Sequence, residues 1–341
     1  IEPKTAQMEQ SVAVLTQMFT YGDSIPEVLE ELEEGITYFT DQANYNLNKD
    51  FNGRDPVGDD PYDITDVPYG NGNPKNMVET ESHGTHVAGI IAAQRNNGVG
   101  INGVAKNVEI MSIRAVPNGD EYDKDIALGI RYAVDNGASI INCSFGKSFS
   151  PKAEWVYDAI KYAASKDVLI VHAAGNDGED LEVPENRNYP NDDMDSDSEF
   201  VDNLITVGAL SSSYGSEMVA SFSNYGKQRV DVFAPGDAIY STMPNSEYEF
   251  QGGTSMAAPA VAGVAALVRS YYPDLSASQV KNIIMQSGLR TKTSVIVAGD
   301  ETKATTFDKI SKSGKMVNAY NALILADNIS NGKMTLESNS K

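Results

Sequence analysis

The chain has 341 residues, 41% of them hydrophobic, enough to bury a substantial core and too many for general disorder. Its formal net charge of −22 repels nucleic acid and anionic membrane surfaces, which sets both aside as partners and favours cationic substrates. The single cysteine, Cys143, permits no internal disulfide, and no run approaches the roughly 20 apolar residues of a membrane span.

In chain order, Met8, Val12, Leu15 and Phe19 recur at helical spacing and predict a first helix. Val28, Leu29 and Leu32 follow Ser24, a cap residue, and Pro26, a first-turn residue; they predict a second, acidic helix. Residues 41–76 are rich in Asn, Asp, Gly and Pro and read as irregular. From residue 83 the texture becomes alternating strand and helix. "SHGTHVAGIIAA" (82–93) predicts a helix of small residues, and "VEIMSIRAV" (108–116) a buried strand. A helix over 124–137 ends at Gly137, a strand follows over 138–145, a helix over 152–166 and a strand over 167–175. Further strands are expected at 203–210 and 229–236, and helices at 255–272, 276–288 and 313–326. The tail from Asn328 is polar and reads as loose. Short apolar strands alternating with helices predict a three-layer α/β fold, a mostly parallel sheet covered on both faces. Within those strands Cys143 and His172 read as core residues, the histidine hydrogen-bonded.

One short stretch carries the chemistry. "GGTSMAAPAVAG" (252–263) sets Ser255 at the first turn of an apolar helix, where backbone N–H groups lack intrahelical partners and stabilise an anion. Gly252 and Gly253 allow a tight approach, and Pro259 so early in the helix is expected to remove only a donor with no obligatory partner. Two readings stand here, an N-cap and a nucleophile. A nucleophilic serine needs a base, and the histidines are His83, His86 and His172. His83 and His86, three residues apart, also permit a metal reading, a zinc hydrolase. Against it, "HGTH" lacks the following glutamate of a zinc-protease helix and no third ligand is evident. No histidine follows Ser255, which excludes the chain order of the α/β-hydrolases.

"HGTHVAG", "NCSFG", "AAGND" and "GGTSMAAPAVAG" resemble, in order, the His, substrate-strand, oxyanion and Ser motifs of the subtilisin-like serine proteases, and the resemblance covers roughly residues 80–290. It implies a subtilisin-like fold and a serine endopeptidase acting on extended peptides. His83 would be the general base, Ser255 the nucleophile and Asn176 the oxyanion donor, with His86 a structural helix residue. Ser144, Phe145 and Gly146 would pair with the substrate backbone, and with Ala173, Ala174 and Gly175 wall a roomy apolar pocket for the residue before the scissile bond. Gly119 and Tyr122 would form its opposite edge, with Asp120 and Glu121 favouring basic side chains further out. Tyr189–Pro190 is a candidate cis bond.

The family's third catalytic residue, an aspartate ending an early apolar strand, has no counterpart in residues 1–82. Asp23, Asp41, Asp50, Asp55, Asp59, Asp60, Asp63 and Asp66 all lack the strand before and the Ser/Thr–Gly turn after. Two expectations compete. In one, the chain starting at Ile1 is N-terminally incomplete, its aspartate and first sheet strand lie upstream, and residues 1–76 are an insertion before a catalytic domain (77–327) and tail (328–341). In the other, the chain is a pseudoprotease that binds extended peptides without cutting them, since loss of the aspartate costs about 10⁴ in rate. No cofactor is needed for the chemistry. "AAQRNNGVGIN" resembles a structural calcium loop, with Asn97 as a ligand, and the acidic runs at 58–66 and 191–202 offer oxygen ligands or are solvated loops. The resemblance implies export from the cytoplasm; the sequence leaves oligomeric state open.

Overall fold

A computed structural model describes residues 5, 8, 11–14, 16, 24–77, 81–116, 121–194 and 198–337. It divides into two units: one takes in Ile1–Pro61 and Thr65–Gly70, the other Tyr62–Ile64, Asn71–Pro117 and Glu121–Lys341.

The first unit holds helix α1 (Ile25–Asp41), continued by a single π turn over Gln42–Asn46, and a short 3₁₀ turn, Asp55–Val57, within otherwise irregular chain. The acidic run at 58–66 is internally engaged: Asp59 pairs with Arg54 at 3.2 Å, and the Asp60 N–H donates to Asp66. The helix expected over 5–19 lies largely outside the described residues.

The second unit contains, in order, α2 (His83–Ala92), α3 (Asp123–Asp135), β1 (Ile140–Cys143), α4 (Ala153–Ser165), β2 (Leu169–Ala173), β3 (Leu204–Leu210), β4 (Val232–Pro235), the hairpin β5–β6 (Ile239–Thr242, Tyr248–Gln251), α5 (Thr254–Tyr271) and α6 (Ala277–Ser287). It ends with β7 (Leu289–Arg290), the hairpin β8–β9 (Ser294–Val297, Asp300–Thr306), β10 (Lys315–Met316) and α7 (Ala319–Ser330). Six strands form one sheet in the order β1-β2-β3-β4-β10-β7, parallel except for β7. This is the α/β fold the strand–helix alternation predicted.

The strands read as unbroken apolar runs because both faces are covered. On β2, Leu169, Val171 and Ala173 join the core beneath α5, α6 and α7, while Ile170 points to the opposite core under α3 and α4. On β3, Ile205, Val207 and Ala209 face the first core and Leu204 the second. A third cluster, with Leu210, Met218, Phe233, Val295 and Phe307, closes the sheet's far end. Cys143 is buried, and burial pushes its thiol up to about 12, the core residue expected. α6 begins with a full capping box between Ser276 and Gln279.

Three sequence expectations fail. Residues 108–116 are not a buried strand: the segment carries no strand assignment, and Ile110, Met111 and Ile113 are exposed although Ile113 and Ala115 rest against Gly129 of α3. A strand needs a ladder to take its N–H and C=O groups, and no described segment supplies one. The helix expected from 313 starts six residues later, because Lys315 and Met316 are held between β4 and β7 and the Asn318 side chain caps the helix by accepting from Asn321 N–H. That helix runs through Asn328 to Ser330, so a boundary at 328 falls inside it. The following chain is tied down: the Gln286 carboxamide bonds both backbone groups of Glu337, and Leu336 packs on the first core.

Candidate active site

The hairpin β5–β6 delivers the chain into α5 through Gly252 and Gly253. Gly253, at φ 154, is the N-cap; Ser255 is the second helical residue, so it does not cap the helix. Thr254 is buried, and its N–H and hydroxyl both donate to the Asn176 carboxamide oxygen at 2.8 Å, while its hydroxyl accepts from Gly175 N–H at 3.1 Å. The Asn176 oxygen is thereby occupied and its NH₂ is turned outward on an exposed residue. A Cβ built on Gly253 would sit 3.4 Å from Asn176 Nδ2 and 3.6 Å from Ser255 N. Two N–H donors therefore border one small space beside Gly253, a space only glycine leaves open. Such a pair of donors can stabilise an anion formed in that space.

Ser255 is half-buried, and its hydroxyl makes a single weak contact, donating to the Ser144 carbonyl at 3.3 Å. The Ser144 hydroxyl donates in turn to the Ser255 carbonyl at 2.7 Å. This corrects the reading of Pro259. In an α-helix the Ser255 carbonyl would accept from the N–H of residue 259, which proline lacks, so a genuine helix bond is lost and Ser144 replaces it. The proline thus fastens the turn that carries Ser255 to the end of β1.

The loop after β2 is held by Asn224, which sequence reasoning missed. Its carboxamide oxygen accepts from Asp177 and Glu179 N–H, at 3.1 and 2.9 Å, and its NH₂ donates to the Ala174 carbonyl at 2.9 Å. Gly175, at φ 99, lies so close that a Cβ there would meet Asn224 Nδ2 at 2.4 Å. Nothing local in "FSNYG" distinguishes Asn224 from a turn residue.

His83 opens α2 as an exposed residue, and desolvation by the surrounding chain, then the neighbouring His86, lowers its pKa from 6.5. Among the described residues its ring has no hydrogen-bond partner and faces no carboxylate. His86 is buried, with Nε2 between the carbonyls of Ile239 (3.0 Å) and Glu249 (3.2 Å), which anchors β5–β6 to α2. That nitrogen donates within the fold, and among the described residues no group of three His, Cys, Asp or Glu side chains is placed for a metal. His172 is buried, its Nε2 2.8 Å from the Phe145 carbonyl, and burial lowers its pKa to about 4.

Ser144, Phe145 and Gly146 leave β1 opposite Ala173, Ala174 and Gly175, but the gap between them is not a roomy apolar pocket. The Asn188 side chain fills it. A Cβ on Gly146 would meet Asn188 Oδ1 at 2.4 Å, one on Gly175 would lie 3.4 Å from the same carboxamide, and Asn188 Nδ2 donates to the Ala173 carbonyl at 2.9 Å. Small walls implied space only because the residue across them is distant in sequence. Asn188→Gly should raise kcat/KM for substrates with Phe before the scissile bond, relative to Ala, by about tenfold or more. An unchanged ratio would place Asn188 outside the pocket.

Tyr122 is exposed at the N-cap of α3, and Gly119 and Asp120 lie outside the described residues. Next to Tyr122, Lys147 Nζ pairs with Asp123 at 2.8 Å and donates to the Glu121 backbone carbonyl at 2.5 Å. Tyr189–Pro190 is cis.

The calcium expectation finds a poor donor set. Asn97 is exposed, its side-chain oxygen accepts from Val99 N–H at 3.0 Å, and residues 94–103 contain no carboxylate. In the described part of the run at 191–202, Asp192, Asp193 and Glu199 are engaged by cationic side chains, while Ser198 and Asp202 are exposed. Lys281, 2% exposed, reaches Glu199 at 2.9 Å, Asp231 at 3.7 Å and Asp192 at 3.8 Å; Lys312 also pairs with Glu199, and Arg229 with Asp193.

The chain has relatives of known family. A family model described as the subtilase family matches residues 32–314. The thermophilic serine proteinase of Bacillus sp. (strain AK1) is 41% identical over 61% of this chain, a stretch covering 46% of that protein, so the chain spans about half of that relative's length. Thermitase of Thermoactinomyces vulgaris is 37% identical over 71% of this chain and 74% of its own. Among solved structures, a protease of Pseudoalteromonas arctica PAMC 21717 superposes with a TM-score of 0.56 at 29% identity, over 72% of this chain and 70% of its own.

Proposed function

From the premise that the chain belongs to the subtilase family, we propose that it is a serine endopeptidase cleaving extended peptides through an acyl-enzyme. The observation that carries this reading is the pair of donors, Asn176 Nδ2 and Ser255 N, bordering the space beside Gly253 next to the Ser255 hydroxyl. The substrate backbone lies along Ser144–Gly146 as an added strand. Ser255 Oγ attacks the scissile carbonyl while its proton passes to His83; the carbonyl oxygen, now an oxyanion, is held by the two N–H donors. His83 returns the proton to the leaving amine. Water then loses a proton to His83, attacks the acyl carbon, and Ser255 leaves with that proton. Extracytoplasmic work is part of the proposal, on family resemblance; no helix among the described residues is long and apolar enough to cross a membrane.

A second reading, an extended-peptide binder that does not cut, is favoured by one observation: among the described residues no partner orients the His83 ring, and an unoriented base is a poor one. Incubation with a fluorophosphonate separates the two. The protease should gain one covalent adduct, located by mass spectrometry on the peptide containing Ser255, whereas the binder should gain none. For the protease, Asn176→Asp, which keeps the oxygen that accepts from Thr254 and removes the NH₂ donor, should lower kcat by about 10²–10³ or more with KM little changed. A matching rise in KM with kcat retained would assign Asn176 to substrate binding instead.

A further inference from the structure

Helix α1 presents a surface that the catalytic proposal does not use. Ile25, Leu29, Leu32, Ile36 and Phe39 follow the alternating four-and-three spacing that keeps one stripe along one side of a helix. Ile25, Leu29, Leu32 and Ile36 are 60, 54, 38 and 66% exposed, whereas Val28, a step around the helix, is buried. The helix is therefore covered at Val28, on the edge of the stripe, and leaves Ile25, Leu29, Leu32 and Ile36 outward. The C-terminal half of the stripe itself borders an open hollow of about 670 Å³, lined by Leu32, Gly35, Ile36, Phe39, Thr40, Ala43 and Asn44. A Cβ at Gly35 would meet nothing within 4 Å, so the hollow has room for an inserted side chain. An exposed apolar stripe of this length is the form in which helices dock on one another.

The charge of the segment selects the occupant. Residues 25–41 contain six acidic residues and no lysine or arginine. Two copies would bring twice that number of carboxylates together, and an anionic lipid surface would repel the helix as well. We propose that the α1 stripe is a docking surface for a helix of another protein, one whose own apolar stripe is bordered by lysine or arginine.

The test uses the full chain carrying Ser255→Ala, so that no probe is cut, and two three-heptad peptides with leucine at the seam, one with lysine and one with glutamate at the flanking positions. Fluorescence anisotropy should give saturable, salt-weakened binding of the lysine peptide and none of the glutamate peptide. Leu29→Ser and Ile36→Ser should each weaken it about tenfold or more, with far-ultraviolet circular dichroism unchanged, while Tyr320→Ser, at an exposed ring in α7, should leave it unaltered. Equal binding to parent and both stripe variants would reduce the effect to net charge and overturn the proposal, as would no binding of the lysine peptide. A concentration-dependent dimer that Ile36→Ser dissolves would reassign the stripe to a second copy of the chain. Flotation with phosphatidylglycerol vesicles, lost in the same variant, would reassign it to lipid.

Discussion

Ser255→Ala should leave a folded protein that binds extended peptides and forms no fluorophosphonate adduct. The hydroxyl donates one 3.3 Å bond, so its removal leaves no buried group unsatisfied, and thermal unfolding should be nearly unchanged. Turnover should fall to what the oxyanion donors and binding alone provide, a residual about 10³–10⁴ over the uncatalysed reaction, the level left in subtilisin when its triad is removed. His83→Ala should fall to nearly the same level, and the double variant no further, because nucleophile and base act as one unit. An adduct that persists in Ser255→Ala would move the nucleophile elsewhere. Additive losses in the double variant would break the pairing of His83 with Ser255.

The second large effect is on stability. Lys281→Met should destabilise the chain by about 3–5 kcal/mol at neutral pH, with a fall in Tm on the order of 10 °C. Lys281 is the counterion of Asp192, Glu199 and Asp231, and the Asp192 Oδ2 and Asp231 Oδ1 atoms that face it are buried with no hydrogen bond. Methionine of similar length leaves the buried Asp192 and Asp231 oxygens without their nearest counterion. The pH dependence has a definite sign. Burial, partly offset by Lys281, raises Asp192 to about 7, and burial also raises Asp231. An acid whose folded pKa lies above its unfolded value loses stability as pH rises between the two. Without Lys281 both carboxyls move further up, so the variant's deficit should be largest at pH 7 and shrink toward pH 5. Chemical denaturation at the two pH values measures this, and a deficit independent of pH would mean that packing, not charge, accounts for the loss.

Legibility in the sequence followed the range of the interactions. The strands β1–β4 and the helices α3–α6 were readable because each is set by its own apolar pattern and caps, and a sheet covered on both faces writes itself as unbroken apolar runs. The segment 108–116 has the same pattern and no strand, since a ladder partner is a property of the neighbouring chain. Residues 315–316 show the converse, two residues too few for any pattern, made a strand by β4 and β7. Within the site, Ser255 and Asn176 stood out through their local motifs. Thr254, Asn224 and Asn188 did not, because each acts on backbone or side chains far along the chain: Asn224 across 50 residues to the Ala174 carbonyl, Thr254 across 78 to Asn176.

By itself the sequence determined the α/β architecture, the helix that carries Ser255 in its first turn, and the family to which the chain belongs, all of which depend on contacts between near neighbours or on ordered motifs. Only the tertiary structure decided what those residues face. It turned the Asn176 amide toward the space beside Gly253, made Ser144 the substitute for the bond Pro259 cannot give, closed the pocket with Asn188, and converted an acidic loop into the cage of a buried lysine. The physical reason is common to all four. A buried polar group must find its partner wherever the fold brings one, and which partner arrives is settled by packing across the sheet rather than by the residues on either side of it in the chain.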